Sequence, residues 1–477
     1  MTERSKIIWV YLISGLYIAF NVYLLLNRMM WGGAIPVLLI LVLLYFLALD
    51  KVILLTTFLT PVAVNISDMD LGASVSLPTE PLMFGLLVFF LLRILRDGGY
   101  ERKIVHHPLS IAIVLNLLWI FITSITSEMP LVSFKYLLSR LWFVIPFYFL
   151  TVLMFKKVRN IQLFFWLYII PFTGVIVYTI INHAGHGLDQ ESGNWVMRPF
   201  YNDHTAYGAV LAMYIPVLFG FIVDRSLKFS TRLVSAMFLA VFLLAIVLSY
   251  SRAAWLTLAI GIVVAVIVYF RIRFRWVFIS LLLVVGLFVT FQQQIFDRLE
   301  KNKQDSSTNF VEHVRSISNI STDASNLERI NRWQSALRMF RDRPFWGFGP
   351  GTYQFQYAPY QRSKEKTIIS TNAGDRGNAH SEYIGPLSES GVLGGVTIFA
   401  VFLISVFTGL RVYKNARDPQ IRIITLSVLT GLISYYLHGF LNNFLDTDKA
   451  SVPVWGFMAI LVALDLYVVS KEEKKSS

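Results

Sequence analysis

Apolar residues run along this chain in long blocks separated by short polar breaks. The blocks fall near residues 7–27, 34–49, 52–66, 81–97, 108–127, 135–155, 160–182, 205–224, 231–249, 254–270, 275–293, 385–410, 421–443 and 451–470. As helices, most of these are long enough to cross a hydrocarbon core of about 30 Å, and the rest come close. The second and third are short and share a turn at Asp50 and Lys51, so the pattern predicts 12–14 spans. The predicted fold class is all-α, a polytopic transmembrane bundle with one large, partly helical loop outside the membrane.

With a cytoplasmic N-terminus, the segments RDGGYERK, KKVRN, DRSLKFSTR, RIRFR, RVYKNARDPQIR and the tail KEEKK all fall on one side, as the positive-inside rule requires. The other side then receives residues 183–204 and 294–384. Three regions follow: residues 1–293, transmembrane helices with a short outward-facing loop at 183–204; residues 294–384, a large outward-facing loop; and residues 385–477, C-terminal transmembrane helices and a cytoplasmic tail. Within the large loop, Leu327, Ile330, Trp333, Leu337 and Phe340 recur at spacings of three and four, with Glu328, Arg329, Arg332 and Arg338 on other faces, which predicts an amphipathic helix. Pro344 and the glycines of FWGFGPG end it. No internal repeat or low-complexity linker interrupts the chain.

Composition supports the membrane reading. The 477 residues are 56% hydrophobic and 15% charged, with a mean hydropathy of +0.60; ordinary soluble domains carry about 25% charged residues. A formal net charge of +13 is accounted for by the short basic loops, so nucleic acid is discarded as a partner. The absence of cysteine excludes disulfides, thiolate metal sites and a catalytic thiol. The start MTERSK has no small-residue cleavage site behind its apolar run, so it reads as a retained first span.

Some polar residues are not explained by topology. Arg252, in SYSRAAW, falls in a very short outward turn where the orientation rule disfavours a base, and a guanidinium at that depth needs a partner or a function. Snorkelling to lipid phosphate is the plain alternative. Arg198 and His204, in RPFYNDHTAYG, precede a span on the same side; Arg329 and Arg332 flank the start of the loop helix; Arg376 and His380 precede the next span. Convergent arginines suit phosphate or diphosphate, whereas a solvated mixed-charge loop is the plain reading, and it covers Lys301, Lys303, Lys364 and Lys366. GFGPGTY at 347–353 lacks the Gly-Lys-Ser/Thr ending of a phosphate loop and reads as a turn. His183 and His186 have a metal-like spacing without a nearby carboxylate partner, and His438 reads as a helix-packing residue. His106 and His107 lie on the opposite side. In the final turn of the loop, His380 is the group that titrates near neutrality, beside Ser381, Glu382 and Tyr383.

These motifs resemble the O-antigen ligase and polysaccharide polymerase superfamily of bacterial inner-membrane glycosyltransferases. Arg329, Trp333, Pro344, Gly347 and Gly349 match an arginine-to-tryptophan helix followed by a Pro-x-x-Gly-x-Gly turn. His380, Ser381 and Tyr383, then Glu389 and Gly391, match the segment at the mouth of a span, and Ser251 with Arg252 matches the Ser-Arg turn. An Asn-x-x-x-Gly signature is loosely met by Asn202, His204 and Gly208. The resemblance covers residues 195–410; the first spans match in hydropathy only.

What the resemblance implies is an inverting, metal-independent and cofactor-free transfer of a glycan from undecaprenyl diphosphate to an acceptor hydroxyl, on the periplasmic face of the inner membrane. It implies His380 as general base and Arg252 and Arg329 as diphosphate ligands. Position adds Arg198 and Arg376 to the diphosphate set, and Glu382, Tyr383, Glu389 and His204 as supporting groups. The leading expectation is an O-antigen ligase with a lipid A core acceptor. A polymerase or a protein O-glycosyltransferase would share the donor chemistry. A transporter of the same lipid would call for repeats or acidic residues at midplane, for which Asp465 is the clearest candidate.

Overall fold

The computed structural model describes residues 3–27, 35–66, 75–273, 275, 324–367, 370 and 377–470. The expected span at 275–293 apart from its first residue, the expected loop before residue 324, and Arg376 lie outside the described residues.

The described chain is a helical bundle, and nine of its helices are long and apolar enough to span a membrane. In chain order the main helices are α1 (Glu3–Leu26), α2 (Ile35–Leu47), α3 (Leu49–Leu59), α4 (Thr79–Asp97), α5 (Pro108–Ile125), α6 (Pro130–Met154), α7 (Val158–Gly185), α8 (His204–Val223), α9 (Phe229–Leu248), α10 (Arg252–Tyr269), α11 (Ala324–Asp342), α12 (Ile384–Asn415), α13 (Pro419–His438) and α14 (Asp448–Leu464). The nine spanning helices fall on nine of the expected apolar blocks. The block at 52–66 is not one helix: α3 stops at Leu59, and β1 (Val64–Ile66) pairs antiparallel with β2 (Val75–Leu77). The break between α2 and α3 comes at Ala48, and Asp50 and Lys51 sit inside α3.

Every residue of α14 is buried, as expected of a helix that is apolar all round and central in its bundle. It packs against the π-helical stretch Ile145–Leu150 of α6 and against α13. A further layer is made by α8, α10 and α12 around α13, while α5 packs along α12. Peripheral helices expose apolar side chains, such as Leu243 and Leu244 of α9 and Val263 of α10, which lipid contact requires.

Asp465, at the end of α14, is gripped by Arg411 of α12 and by His107 before α5, whose Nε2 lies 3.1 Å from it. Since the Leu109 amide donates to His107 Nδ1, Nε2 carries the ring proton and donates to the carboxylate. This ion pair ties three helices together at one end of the bundle. The start of α6, α8, α10, α12 and α14, the end of α13, and all of α11 gather at the other end.

Candidate active site

The local architecture begins with a broken helix. Gly391, inside α12, has φ 68° and ψ −166°, outside any helical region, so backbone groups on both sides lose their helical partners. The FWGFGPG turn after α11 supplies replacements. Val392 N donates to Pro344 O (2.8 Å), while Phe348 N donates to Ser388 O (3.1 Å) and Gly349 N to Glu389 O (2.8 Å). Trp119 Nε1 of α5 donates to Ser390 O (2.8 Å), and its ring stacks on Trp346. The approach is so close that a Cβ on Gly391 would lie 2.1 Å from Phe345 O, and one on Gly347, itself at φ +67°, 2.3 Å from the Glu389 carbonyl. The glycines of this motif therefore serve backbone-to-backbone packing. Glu389 Oε1 accepts from Tyr353 N (3.0 Å), fastening the same turn.

Helix α11 then fixes the segment before α12. Arg332 is buried, donates from Nε to Glu328 Oε1 (2.8 Å) and from one terminal nitrogen to Asn378 O (3.2 Å). Trp333 Nε1 donates to His380 O (3.4 Å), and His380 N donates to Asn378 Oδ1 (3.1 Å). His380 itself has φ +47°, a left-handed conformation uncommon for a residue with a side chain. On the far side, Glu382 N donates to Gly439 O (2.8 Å), and Glu382 Oε1 accepts from Tyr435 Oη (2.8 Å), Phe444 N (2.7 Å) and Leu445 N (2.9 Å). Tyr383 donates to Tyr436 O (2.9 Å) and stacks on Phe440. The turn that presents His380 is held between the loop helix and the end of α13.

Electrostatics connect residues far apart in sequence. Burial and the nearby guanidinium groups of Arg332 and Arg329 push His380 from the usual 6.5 down to about 4, against a smaller opposing pull from Asp203 and Glu328. Arg329 and Arg252 both act on His204, the first residue of α8, and Arg329, Asp203 and His204 all act on His438. Asp203 caps α8 by accepting from Thr205 N (2.8 Å) and Ala206 N (2.9 Å), and Ser251 caps α10 just before Arg252. The structure thus brings His380, Arg329, Arg252 and His204 into one electrostatic neighbourhood. Arg198 is exposed, directs Nε to Asn202 O (3.1 Å) and is not among the main charges acting on these histidines.

Residues 236–399 match the family model described as O-Antigen ligase. Over this segment the chain is similar to that family. No curated protein matches the chain. The matched segment contains Arg252, Arg329, His380 and the broken helix with its turn, whereas Arg198 and His204 precede it.

Around this site the structure adds residues that the sequence reading did not select. Arg332 is the strongest single charge on His380; it was noticed only as a flank of the loop helix. Arg140, buried in α6, donates to Leu445 O (3.2 Å) and to Asp446 Oδ1 (2.9 Å) and braces the turn that holds Glu382. A lone arginine inside the apolar block at 135–155 was the signal available for it. His183 and His186 each bond a backbone carbonyl, of Asp189 and Asn182 respectively, and so serve the fold of their loop.

Proposed function

We propose that this membrane protein transfers a glycan from undecaprenyl diphosphate to a hydroxyl of an acceptor, lipid A core in the leading case, at the periplasmic face of the bacterial inner membrane. The observation that carries the reading is His380, held neutral on a strained turn, with Arg329 and Arg332 acting on it and Arg252 joined to the same neighbourhood through His204. In one displacement, the acceptor hydroxyl gives its proton to the His380 ring while its oxygen attacks the anomeric carbon. The bond from that carbon to the diphosphate oxygen breaks, and the configuration inverts. Negative charge grows on the departing oxygen, so guanidinium groups fixed in place stabilise the transition state more than the bound donor. In this reading Arg252 and Arg329 hold the diphosphate, and Arg198 and Arg376 are its further ligands. Glu382 and Tyr383 keep the His380 turn in place, Glu389 keeps the FWGFGPG turn beside it, and the domain limits are those at residues 293 and 384.

The test is turnover by purified protein with an undecaprenyl-diphosphate-linked glycan and a lipid A core acceptor. His380→Ala is expected to abolish release of undecaprenyl diphosphate, and wild-type release by that variant would overturn the assignment. Unchanged donor binding by the double variant Arg252→Ala/Arg329→Ala would remove the diphosphate role. In cells lacking the protein, surface polymer is expected to detach from lipid A core; shortened but attached polymer would replace the ligase reading with a polymerase.

A further inference from the structure

A cavity of about 380 Å³ lies between the start of α6, the turn at 351–354, the segment 377–389 and the turn at 443–446. Its size is within the range of small-molecule sites, about 300–1,000 Å³. It follows the chain immediately on both sides of His380, since Asn378, Ala379, Ser381 and Glu382 line it. None of the arginines acting on His380 or His204 contributes to its wall.

The wall has a definite chemistry. Glu382, Glu389 and Asp446 line it, and among the described residues no lysine or arginine does. Behind the wall Arg140 pairs with Asp446 (2.9 Å), so three carboxyl groups outnumber one guanidinium and an anionic ligand would meet net like charge, at a cost that rises as water is excluded. Tyr136, Gln354 and Asn443 supply phenol and amide groups, each able to donate and to accept. Arg140 donates to Tyr136 Oη (2.5 Å), which leaves the phenol proton to be given to something else. Asn443 Oδ1 is screened from solvent and has no hydrogen-bond partner among the described residues, an arrangement that calls for a donor. A lipid chain would not satisfy these groups. A polyhydroxylated ring, whose hydroxyls both donate and accept, would.

We propose that this cavity is the subsite for the acceptor sugar and that it takes a neutral or amino-bearing glycan unit without phosphate or carboxylate on the bound ring. The inference rests on the transfer reading for the word acceptor, but the sugar site itself does not depend on catalysis. It divides the two substrates by charge: the diphosphate goes to the arginines, the uncharged or cationic sugar to the carboxylates, and the His380 turn lies at the border.

The test is ligand-observed saturation-transfer NMR on the full chain, in a detergent without a sugar headgroup. Glucose, glucosamine and glucose 6-phosphate serve as sugar probes, and inorganic pyrophosphate serves as a separate probe for the arginines. Glucose and glucosamine are expected to bind, and glucose 6-phosphate to bind at least roughly tenfold more weakly. Gln354→Leu and Asn443→Leu are expected to weaken glucose about tenfold, the loss of a hydrogen bond or two, and Ser139→Trp to block it by filling the cavity. All three should keep pyrophosphate binding, which shows that they are folded, and His380→Ala should keep glucose binding. Equal binding of glucose 6-phosphate and glucose, no glucose binding to the wild-type protein, or full glucose binding by folded Ser139→Trp would each overturn the proposal. If glucose binds as expected while pyrophosphate fails to bind the wild-type protein, the transfer reading falls and the sugar site stands.

Discussion

The Val392 amide donates to the Pro344 carbonyl at 2.8 Å, so a helix entering the bundle is completed by a loop that precedes it by almost fifty residues. The join depends on Gly391, whose φ of 68° and ψ of −166° belong to a region that side chains strongly disfavour. A Cβ there would also strike the Phe345 carbonyl. Gly391→Ala is expected to cost at least about 2 kcal/mol, measured as chemical denaturation in detergent. The same variant should make the chain near residues 344–353 more sensitive to protease. A variant as stable and as resistant as wild type would show that the break is not required.

His380 sets the expected pH response. Its folded value of about 4 lies below the usual 6.5, so between these values the unfolded chain holds the proton more tightly and stability from this group falls as pH drops. Above 6.5 there is no loss, and below 4 no further loss. For turnover, the acid limb of kcat/KM is expected near 4. Arg332→Gln removes the larger of the two opposing charges and should move the limb upward. A limb at 6.5 in the wild-type protein would mean that the histidine is not buried among the guanidinium groups.

Bound diphosphate should act in the same direction. Its negative charge offsets Arg329, so inorganic pyrophosphate is expected to raise the His380 titration midpoint, followed by the imidazole resonances of labelled protein. Donor binding would thereby prepare the base, since a histidine titrating near the working pH is the better proton acceptor. A midpoint unchanged at saturating pyrophosphate would separate the two groups.

Glu328 anchors Arg332 and takes further hydrogen bonds from Asn331, Thr367 and Ser370. Burial alone would raise its carboxyl, but the bonds from Ser370, Arg332 and Asn331 outweigh this and hold it below the usual 4.5. Its contribution to stability is complete above that value and is lost as pH falls below it. Glu328→Gln leaves Arg332 buried without its counter-charge and is expected to cost about 3 kcal/mol. In a double-mutant cycle with Arg332→Gln, an interaction energy near zero would remove the pair from the site's framework.

For Glu382, burial and the neighbouring Asp446 raise the carboxyl above the usual range, and one oxygen takes three hydrogen bonds. Glutamine keeps an acceptor oxygen there, so Glu382→Gln is expected to lose about 1 kcal/mol or less. Glu382→Leu, leaving three donors unmatched, should lose about 3 kcal/mol or more and most turnover. Equal effects of the two would show that charge matters here, and not the acceptor.

Much of the fold was legible because membrane spans announce themselves by length and apolarity: blocks such as 205–224 and 451–470 became α8 and α14. The loop helix was legible for the same kind of reason, from the spacing of Leu327 to Phe340. The 52–66 block was misread as one span because apolarity does not distinguish a helix from a helix followed by a strand. Within the site, His380 and Arg329 stood out by residue type and position. The role of Arg332 did not, since only folding places it beside His380. Nor did the partners of Glu382, which lie on α13 and in the turn after it.

The direction of those bonds governs how the chain is assembled during synthesis. The FWGFGPG turn is completed by residues 388–392, and the His380 segment by residues 435–445. Every one of these partners leaves the ribosome after the loop it fixes. The His380 segment must therefore wait until α13 and the turn after it have been made, and a chain ending after α12 would carry the histidine and the arginines with only half of the scaffold that positions them.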